Sequence, residues 1–136
     1  MLNRFIEAQR GTYIRALREI RRGQKETCWM WFIFPTIKGI GYSETAQYYA
    51  IRNVREANEY LKHKILGMRL RRITKELLKL ETNDPEEVMG WIDDQKLHAS
   101  MTLFYQVSGE SLFKEVLDKY FGGKFDRTTM KILKEE

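Results

Sequence analysis

The chain has 136 residues, of which 43% are hydrophobic, and this is enough for one domain with a single core over residues 1–136. Its one cysteine excludes an internal disulfide and, without paired Cys and His spacings, argues against a structural zinc site, so we expect no bound metal or cofactor. No apolar run approaches the roughly 20 residues that cross a bilayer, and the N-terminus lacks the apolar stretch of a signal peptide. We therefore expect a cytoplasmic protein without a membrane partner.

The net charge of +5 is unevenly distributed along the chain. Residues 1–80 carry 17 basic and 7 acidic side chains, whereas residues 81–136 carry 7 basic and 12 acidic ones. This asymmetry could attract a nucleic acid or an acidic ligand to the first part, or could hold the two halves of one domain together. We favour the second interpretation, because the basic residues are spread over several predicted helices.

Apolar side chains recur every three or four residues over residues 2–20, which predicts an amphipathic helix that ends at Gly23. Arg15, Arg18 and Arg22 follow the same period on another face. Such a row of arginines is typical of a solvated helix face.

The next feature is an aromatic segment, CWMWFIFP, at residues 28–35. We predict that it is extended and buried on both faces, with Trp29 and Trp31 on one face and Phe34 on the other. The alternative is that the indoles line a pocket for a planar ligand, with backbone amides of the following proline and glycines within reach.

Helix signals then follow in order. Ser43 is a predicted N-cap, Asn53 marks a break, and the apolar pattern of residues 66–80 predicts the most regular helix of the chain. Asp84 and the proline after it predict the start of a short helix that ends near Gly90.

The last third of the chain continues in the same way. Asp93, Lys96 and Ser100 share one line of a predicted helix, a glycine pair at residues 122–123 ends the next, and Asp126 is placed to cap the last. The fold class is therefore mainly α, with one compact domain of about six to eight helices and the extended segment at residues 28–35.

The sequence contains no phosphate-binding loop and no HExxH motif, and the GIG at residues 39–41 lacks the third glycine of a dinucleotide fingerprint. The candidate site is thus built from polar residues near the aromatic segment. Lys96 could meet a phosphate or a developing negative charge, while Asp93 or Glu44 could position a water. The structural alternative is that Asp93 caps a helix and Lys96 forms an ordinary ion pair. The predicted ligand-binding residues are Trp29, Trp31, Phe34, Tyr49, Ser100 and Thr102.

Four stretches carry a resemblance to a known family: CWMWFIFPTIKGIGYSETAQYYAI, REANEYLKHKILGMRL, DDQKLHASMTLF and FKEVLDKYFGGKFDRTTMKIL. In order and over most of the chain they resemble domain of unknown function family 1810, small bacterial and archaeal proteins sometimes automatically labelled calpastatin-like. The resemblance implies a compact, mainly helical, cytosolic protein. Cys28, Thr36 and Ala99 stand where the family pattern has His, Gln and Ser, which removes three polar groups.

A fainter resemblance links SETAQYYAIR and KLHASM to the family that acts on ADP-ribose and related N-glycosides, the relatives of the riboflavin-pathway N-glycosidase. The acidic residue of that family's motif would fall near Gln47, which cannot act as a base, while Glu44 lies one helical turn away. This resemblance therefore implies shared architecture more than shared catalysis.

Two functions stay open. The first is binding, and in the stronger form hydrolysis, of a nucleotide or an ADP-ribose-like N-glycoside in a cleft lined by aromatic and lysine side chains. The second is a non-catalytic interaction module that binds RNA or an acidic protein through a basic face. That face would consist of Arg15, Arg18, Arg22, Arg72 and Lys75. Whether the protein is an enzyme, and its oligomeric state, are also open.

Overall fold

The computed structural model describes residues 2–136, and most of these residues lie in α-helices. None of the helices in this range combines the length and the apolar character that crossing a membrane would require. The ten helices of this range are α1 (Asn3–Gln9), α2 (Tyr13–Arg21), α3 (Met30–Ile33), α4 (Glu44–Tyr49), α5 (Val54–Lys62), α6 (Lys64–Leu78), α7 (Pro85–Met89), α8 (Asp93–Ser108), α9 (Ser111–Phe121) and α10 (Arg127–Lys134). The mainly helical prediction is confirmed, but six to eight helices was too few.

One additional helix arises because the N-terminal helix is interrupted. The apolar pattern of residues 2–20 predicted one helix, whereas the chain turns at Gly11 between α1 and α2. Gly11 has φ +76°, a left-handed conformation that glycine adopts without steric cost. The apolar periodicity did not reveal this turn because it continues on both sides of it.

The other additional helix is α3, where the prediction of an extended segment at residues 28–35 was wrong. The segment makes one helical turn, in which the N–H of Ile33 donates to the carbonyl of Trp29 at 3.1 Å and that of Phe34 to Met30 at 3.1 Å. Within residues 2–136 the only bridge of β type joins Ile37 to residue 51, so no neighbouring strand would satisfy an extended backbone here. The turn satisfies these backbone groups locally.

Because the segment is helical, its side chains do not alternate between two faces. Trp29 and Phe34 are fully buried, whereas Trp31 and Phe32 are only partly buried. The two tryptophans predicted to share a face thus have different environments.

The predicted caps Ser43, Asp84 and Asp126 are confirmed, and the break predicted near Asn53 is the start of a helix. Ser43, Asn53, Asp84 and Asp126 each accept a hydrogen bond from a backbone N–H in the first turn of the helix that follows. These four side chains fix where α4, α5, α7 and α10 begin.

The core forms around α8, which packs against α5, α7, α9 and α10. A row of buried rings links the N-terminal helices to it: Phe5 meets Tyr60 edge to face at 5.1 Å, Tyr60 lies 5.6 Å from Phe104, and Phe104 lies 5.9 Å from Phe113. This row anchors α1 against the centre of the fold.

A buried ion pair further fixes α1. The Nη2 of Arg4 donates to Oε1 of Glu56 at 2.7 Å and to the carbonyl of Ala50 at 2.8 Å. Burial acts to raise the pKa of Glu56, but the hydrogen bonds from Arg4 and from the Arg52 backbone outweigh it and lower the pKa. The first helix is thereby tied to the start of α5.

Candidate functional site

Two small clefts meet at the side chains of Trp31 and Lys96, each with a volume of about 180 Å³. The first, which we name the Cys28 cleft, is lined by Lys25, Cys28, Trp29, Met30, Trp31, Phe32, Thr45, Asp93 and Lys96. The second, the Asp126 cleft, is lined by Trp31, Ile40, Ile92, Gln95, Lys96, Ala99, Asp126 and Thr128. Because Trp31 and Lys96 line both clefts, they form the wall between them.

A carboxylate held between two ammonium groups lies at this wall. The Nζ of Lys25 is 2.8 Å from Oδ2 of Asp93, and the Nζ of Lys96 is 3.1 Å from Oδ1. Lys25 is only 10% exposed, and Asp93 and Lys96 are each 20% exposed, so solvent screens the interactions between their charges weakly. Two positive charges and one negative charge leave the cluster with a net positive charge.

Each ammonium group also lies over an indole. The Nζ of Lys96 is 4.1 Å from the centroid of the Trp31 ring, and that of Lys25 is 4.9 Å from the centroid of the Trp29 ring. Both distances are within the range of cation–π attraction. The two lysines are therefore oriented by Asp93 on one side and by the aromatic segment on the other.

The loop that carries the aromatic segment is organised by Glu19 of α2. Its buried carboxylate accepts four hydrogen bonds: from the backbone N–H groups of Glu26 (2.8 Å) and Thr27 (3.0 Å), from the Thr27 hydroxyl (2.6 Å) and from the Trp29 indole (2.8 Å). Burial alone would raise the pKa of Glu19, but these hydrogen bonds outweigh it and lower the pKa from 4.5 to about 2. Glu19 is therefore ionised, and its carboxylate fixes the N-terminal end of α3.

Gln9 of α1 holds the other end of α3. Its side-chain amide donates to the carbonyl of Phe32 at 2.8 Å and to the hydroxyl of Tyr60 at 3.1 Å, while its oxygen accepts from Arg69 at 3.3 Å. Because both ends of α3 are held by buried polar groups, the position of Trp31 between the two clefts is well defined.

The GIG at residues 39–41 has a packing role in this region. A Cβ atom on Gly41 would lie 2.7 Å from Cη2 of Trp31 and 2.8 Å from Cβ of Ala46. No real Cβ atom tolerates such distances, so the indole of Trp31 occupies space that only glycine leaves free. The requirement for glycine here comes from the indole.

The predicted site residues fall into two groups. The structure brings Trp29, Trp31, Asp93 and Lys96 together, and the ion pair between Asp93 and Lys96 is confirmed. The alternative that Asp93 caps a helix is wrong, because Ile92 occupies the N-cap position of α8 and Asp93 is its first residue.

The other predicted residues lie outside both clefts. Phe34, Ser100 and Thr102 are fully buried, Glu44 is exposed at the start of α4, and Tyr49 is half-buried with its ring 5.2 Å from that of Phe32. Phe34 packs in the core beside Trp29. None of these five residues lines the Cys28 cleft or the Asp126 cleft.

The buried hydroxyls differ in their partners. The Thr102 hydroxyl donates to the carbonyl of His98 at 2.8 Å and accepts from the backbone N–H of Asp126 at 2.9 Å, which ties α8 to the start of α10. The Ser100 hydroxyl has no hydrogen-bond partner among the described residues.

Sequence reasoning missed two charged residues of the site. Lys25 was not singled out, and Asp126 was predicted only as the cap of α10. Asp126 does cap through Oδ2, which accepts from the N–H and the hydroxyl of Thr129, but it also lines the second cleft. Both residues join the site through contacts distant in sequence, so no local pattern marks them.

The part of the site around Lys25 and Lys96 is suited to an anion. Within the described range, no three side chains of the His, Cys, Asp and Glu types converge as a metal site requires. The two ammonium groups, by contrast, provide donors and positive charge for a phosphate or carboxylate.

Comparison with known proteins shows the family of the chain. The sequence model described as "Protein of unknown function (DUF1810)" matches residues 1–133. The chain is also similar to the solved structure of the conserved hypothetical protein Rv1873 from Mycobacterium tuberculosis, with 40% identity and a TM-score of 0.96. That match covers 98% of this chain and 96% of the other. No curated protein matches the chain.

Proposed function

The chain belongs to the DUF1810 family of proteins of unknown function, and we propose that it binds a small anionic ligand with a planar ring, of the nucleotide or ADP-ribose type, in the paired clefts. The observation that carries this proposal is the position of Lys25 and Lys96 on either side of Asp93, each over an indole. Two ammonium groups beside aromatic rings are suited to a phosphate joined to an aromatic group.

The chemistry of the walls suggests how such a ligand would lie. In the Asp126 cleft, Trp31, Ile40 and Ile92 provide apolar surface for a ring, while Asp126 and Gln95 provide acceptors and donors for hydroxyl or amide groups. A phosphate on this ligand would reach the ammonium groups at the boundary with the Cys28 cleft. Together the two clefts reach the lower end of the ~300–1,000 Å³ that is usual for small-ligand pockets.

Hydrolysis of the ligand is the further part of this proposal. Asp93 or Asp126 would hold a water and take its proton as its oxygen bonds to the sugar carbon or the phosphorus. Lys96 would stabilise the negative charge on the leaving group of the broken bond, which is the base of an N-glycoside or a phosphate. Both oxygens of Asp93 already contact lysines, whereas Oδ1 of Asp126 forms no hydrogen bond with a described residue. Asp126 is therefore the better placed of the two, and Glu44, which lines neither cleft, has the weakest geometric support.

A thermal-shift panel of ADP-ribose, NAD, flavin precursors and nucleotides tests the binding proposal. A ligand present at about 100 times its Kd stabilises a protein by roughly 2.7 kcal/mol, which raises the melting temperature by several degrees. We expect at least one phosphate-bearing compound to give such a shift with the wild type, and Trp31→Ala and Lys96→Ala to abolish it.

Arg18→Ala is the matched control, because it removes one positive charge from the exposed face of α2 and leaves the clefts unchanged. It should respond as the wild type does. The proposal fails if no compound raises the melting temperature, and the residue assignment fails if Trp31→Ala and Lys96→Ala respond like Arg18→Ala. Chromatography of the incubated ligand then tests hydrolysis: a product should form with the wild type and not with Asp126→Asn.

A further inference from the structure

A third cleft, of about 550 Å³, lies where α5 meets α6 and is separate from the paired clefts. We name it the α5–α6 cleft. Six of its eight lining residues have basic side chains, and none is acidic. It is lined by Leu61, Lys62, His63, Lys64, Met68, Arg71, Arg72 and Lys75.

Four of these cations lack a counter-ion. Arg71 is neutralised by Glu110, to which it donates at 2.8 Å and 2.7 Å. Among the described residues no ion pair is formed by the exposed side chains Lys62, Lys64, Arg72 and Lys75. The acidic residue of α6, Glu76, instead binds Arg21 and Lys79, away from this cleft. The cleft therefore concentrates positive charge that the protein itself does not compensate.

Three cations of α6 and Met68 lie in a row along the helix axis. Lys64, Met68, Arg72 and Lys75 succeed one another at intervals of three and four, which places them on one face. Of these side chains, Arg72 and Lys75 are like charges three residues apart; they repel each other, and an anionic partner would relieve this repulsion. The row from Lys64 to Lys75 is about 17 Å long at 1.5 Å per residue, which an extended peptide of about five residues would span.

The apolar residues of this surface indicate which kind of polyanion fits. Met68 lines the cleft and is 52% exposed, so an apolar side chain of a partner would find contact between the cations. No Phe, Tyr or Trp side chain lines the cleft, whereas proteins that bind single-stranded nucleic acids stack bases on such rings.

We propose that the α5–α6 cleft docks an acidic peptide segment with an apolar residue among its carboxylates. Lys62, Lys64, Arg72 and Lys75 pair with the carboxylates, and Met68 contacts the apolar side chain. Of the basic face predicted from the sequence, only Arg72 and Lys75 belong to this surface, because Arg15, Arg18 and Arg22 lie on or next to α2 and do not line the cleft.

Fluorescence anisotropy with the fluorescein-labelled peptide EELEE tests this proposal. We expect EELEE to bind at low ionic strength and more weakly at physiological ionic strength, with the uncharged peptide QQLQQ not binding and EESEE binding more weakly. The double variant Arg72→Gln/Lys75→Gln should weaken EELEE binding about fivefold or more, since two charge pairs are lost.

Arg18→Gln/Arg22→Gln is the charge-matched control, because both arginines are exposed and lie outside the cleft. Its affinity for EELEE should stay within about twofold of wild type, because neither arginine pairs with the bound peptide. Equal loss in both double variants would show attraction to net charge alone and overturn the proposal, as would a complete absence of binding. Tighter binding of a uridine 12-mer RNA than of EELEE under the same conditions would also overturn it, in favour of a nucleic-acid surface.

Discussion

The ammonium group of Lys96 lies 4.1 Å above the ring of Trp31 and 3.1 Å from Oδ1 of Asp93. Lys96 comes from α8 and Trp31 from α3, so this contact joins the centre of the fold to the aromatic segment. Since the indole also fills the space above Gly41, Trp31 cannot move toward that side. The wall between the two clefts is therefore set by one ion pair, one cation–π contact and one glycine.

Asp93→Asn should destabilise the protein by about 1–2 kcal/mol. The substitution leaves two ammonium groups near a neutral amide in a partly buried position, where their repulsion is weakly screened. Urea denaturation measures the loss. Asp94→Asn is the control, because Asp94 is adjacent and forms no ion pair within residues 2–136; equal losses in the two variants would show that the pairing with the lysines adds nothing.

The same substitution distinguishes binding from catalysis at the paired clefts. Asp93→Asn raises the net positive charge beside the ligand, so a phosphate-bearing ligand should bind about threefold or more tightly if Asp93 only orients the lysines, an effect of one partly screened charge. Isothermal titration calorimetry gives the affinity, and product chromatography gives the turnover. Tighter binding with product formation lost would assign Asp93 a part in the reaction. Weaker binding would show that the lysines need Asp93 to hold them or that the carboxylate itself contacts the ligand.

Glu19 should make the stability of the protein sensitive to acid. Its pKa in the folded protein is about 2, below the 4.5 of the unfolded chain, so its contribution is fully present above about pH 4.5 and is lost as the pH falls toward 2. The full contribution is on the order of 3 kcal/mol. Comparing urea denaturation of the wild type and Glu19→Gln at several pH values should show their difference shrink across this window.

A neighbouring glutamate provides the control for that comparison. Glu26 is exposed and contacts Glu19 only through its backbone N–H, so Glu26→Gln should leave the pH dependence of unfolding as in the wild type. A wild-type stability that falls in parallel with that of Glu19→Gln between pH 4.5 and pH 2 would contradict the assignment to Glu19.

The parts of this fold that the sequence predicted are those set by neighbours in the chain. Ser43 and Asp84 act as caps because their side chains reach backbone N–H groups two or three residues on. The helical turn of α3, by contrast, is stabilised at its two ends by Glu19 and Gln9, which reach it from α2 and α1. No pattern within residues 28–35 records those partners, and an apolar run without them suggests a buried extended segment.

In the candidate site, too, the residues set by neighbours in the chain were predicted and those set by distant contacts were not. Lys96 and Asp93 were predicted together because they are three residues apart on one helix, and the aromatic density marked Trp31. Lys25 and Asp126 could not be predicted, because each reaches the clefts through a loop or helix start whose position depends on the packing of other helices. Residues of one helix reveal part of a site, and the rest requires the tertiary structure.

Two glycines should respond differently to alanine. A Cβ on Gly67 would collide with the backbone carbonyl of Leu61, which also accepts a hydrogen bond from Arg71 and cannot easily yield. A Cβ on Gly41 would meet the Trp31 indole at 2.7 Å and Cβ of Ala46 at 2.8 Å, and the indole can tilt whereas Ala46 moves only with α4. We expect Gly67→Ala to cost about 3 kcal/mol or more and Gly41→Ala about 1–3 kcal/mol by urea denaturation.

Tryptophan fluorescence adds a readout specific to the site. Gly41→Ala should shift the emission of the folded protein to longer wavelength, since a displaced Trp31 becomes more exposed, while Gly67→Ala should leave the emission unchanged at temperatures where it is folded. An unchanged emission in Gly41→Ala would mean that Ala46 and its helix move in place of the indole.

Cys28 provides a direct test of where a ligand binds. Its thiol is exposed and lines the Cys28 cleft beside Trp29 and Lys96, so a bound ligand whose phosphate reaches the ammonium groups should cover it. We expect any compound that raises the melting temperature to slow the reaction of Cys28 with iodoacetamide about threefold or more, because access, together with ionisation, controls the rate of a thiol. Intact-mass spectrometry follows the alkylation, and Lys96→Ala, which should not bind, should show no protection by the same compound.

A compound that stabilises the protein but leaves the rate of alkylation of Cys28 unchanged must bind away from the Cys28 cleft. If that compound also loses its effect in Arg72→Gln/Lys75→Gln, it binds at the α5–α6 cleft. If it keeps its effect there and loses it in Trp31→Ala, it lies in the Asp126 cleft alone.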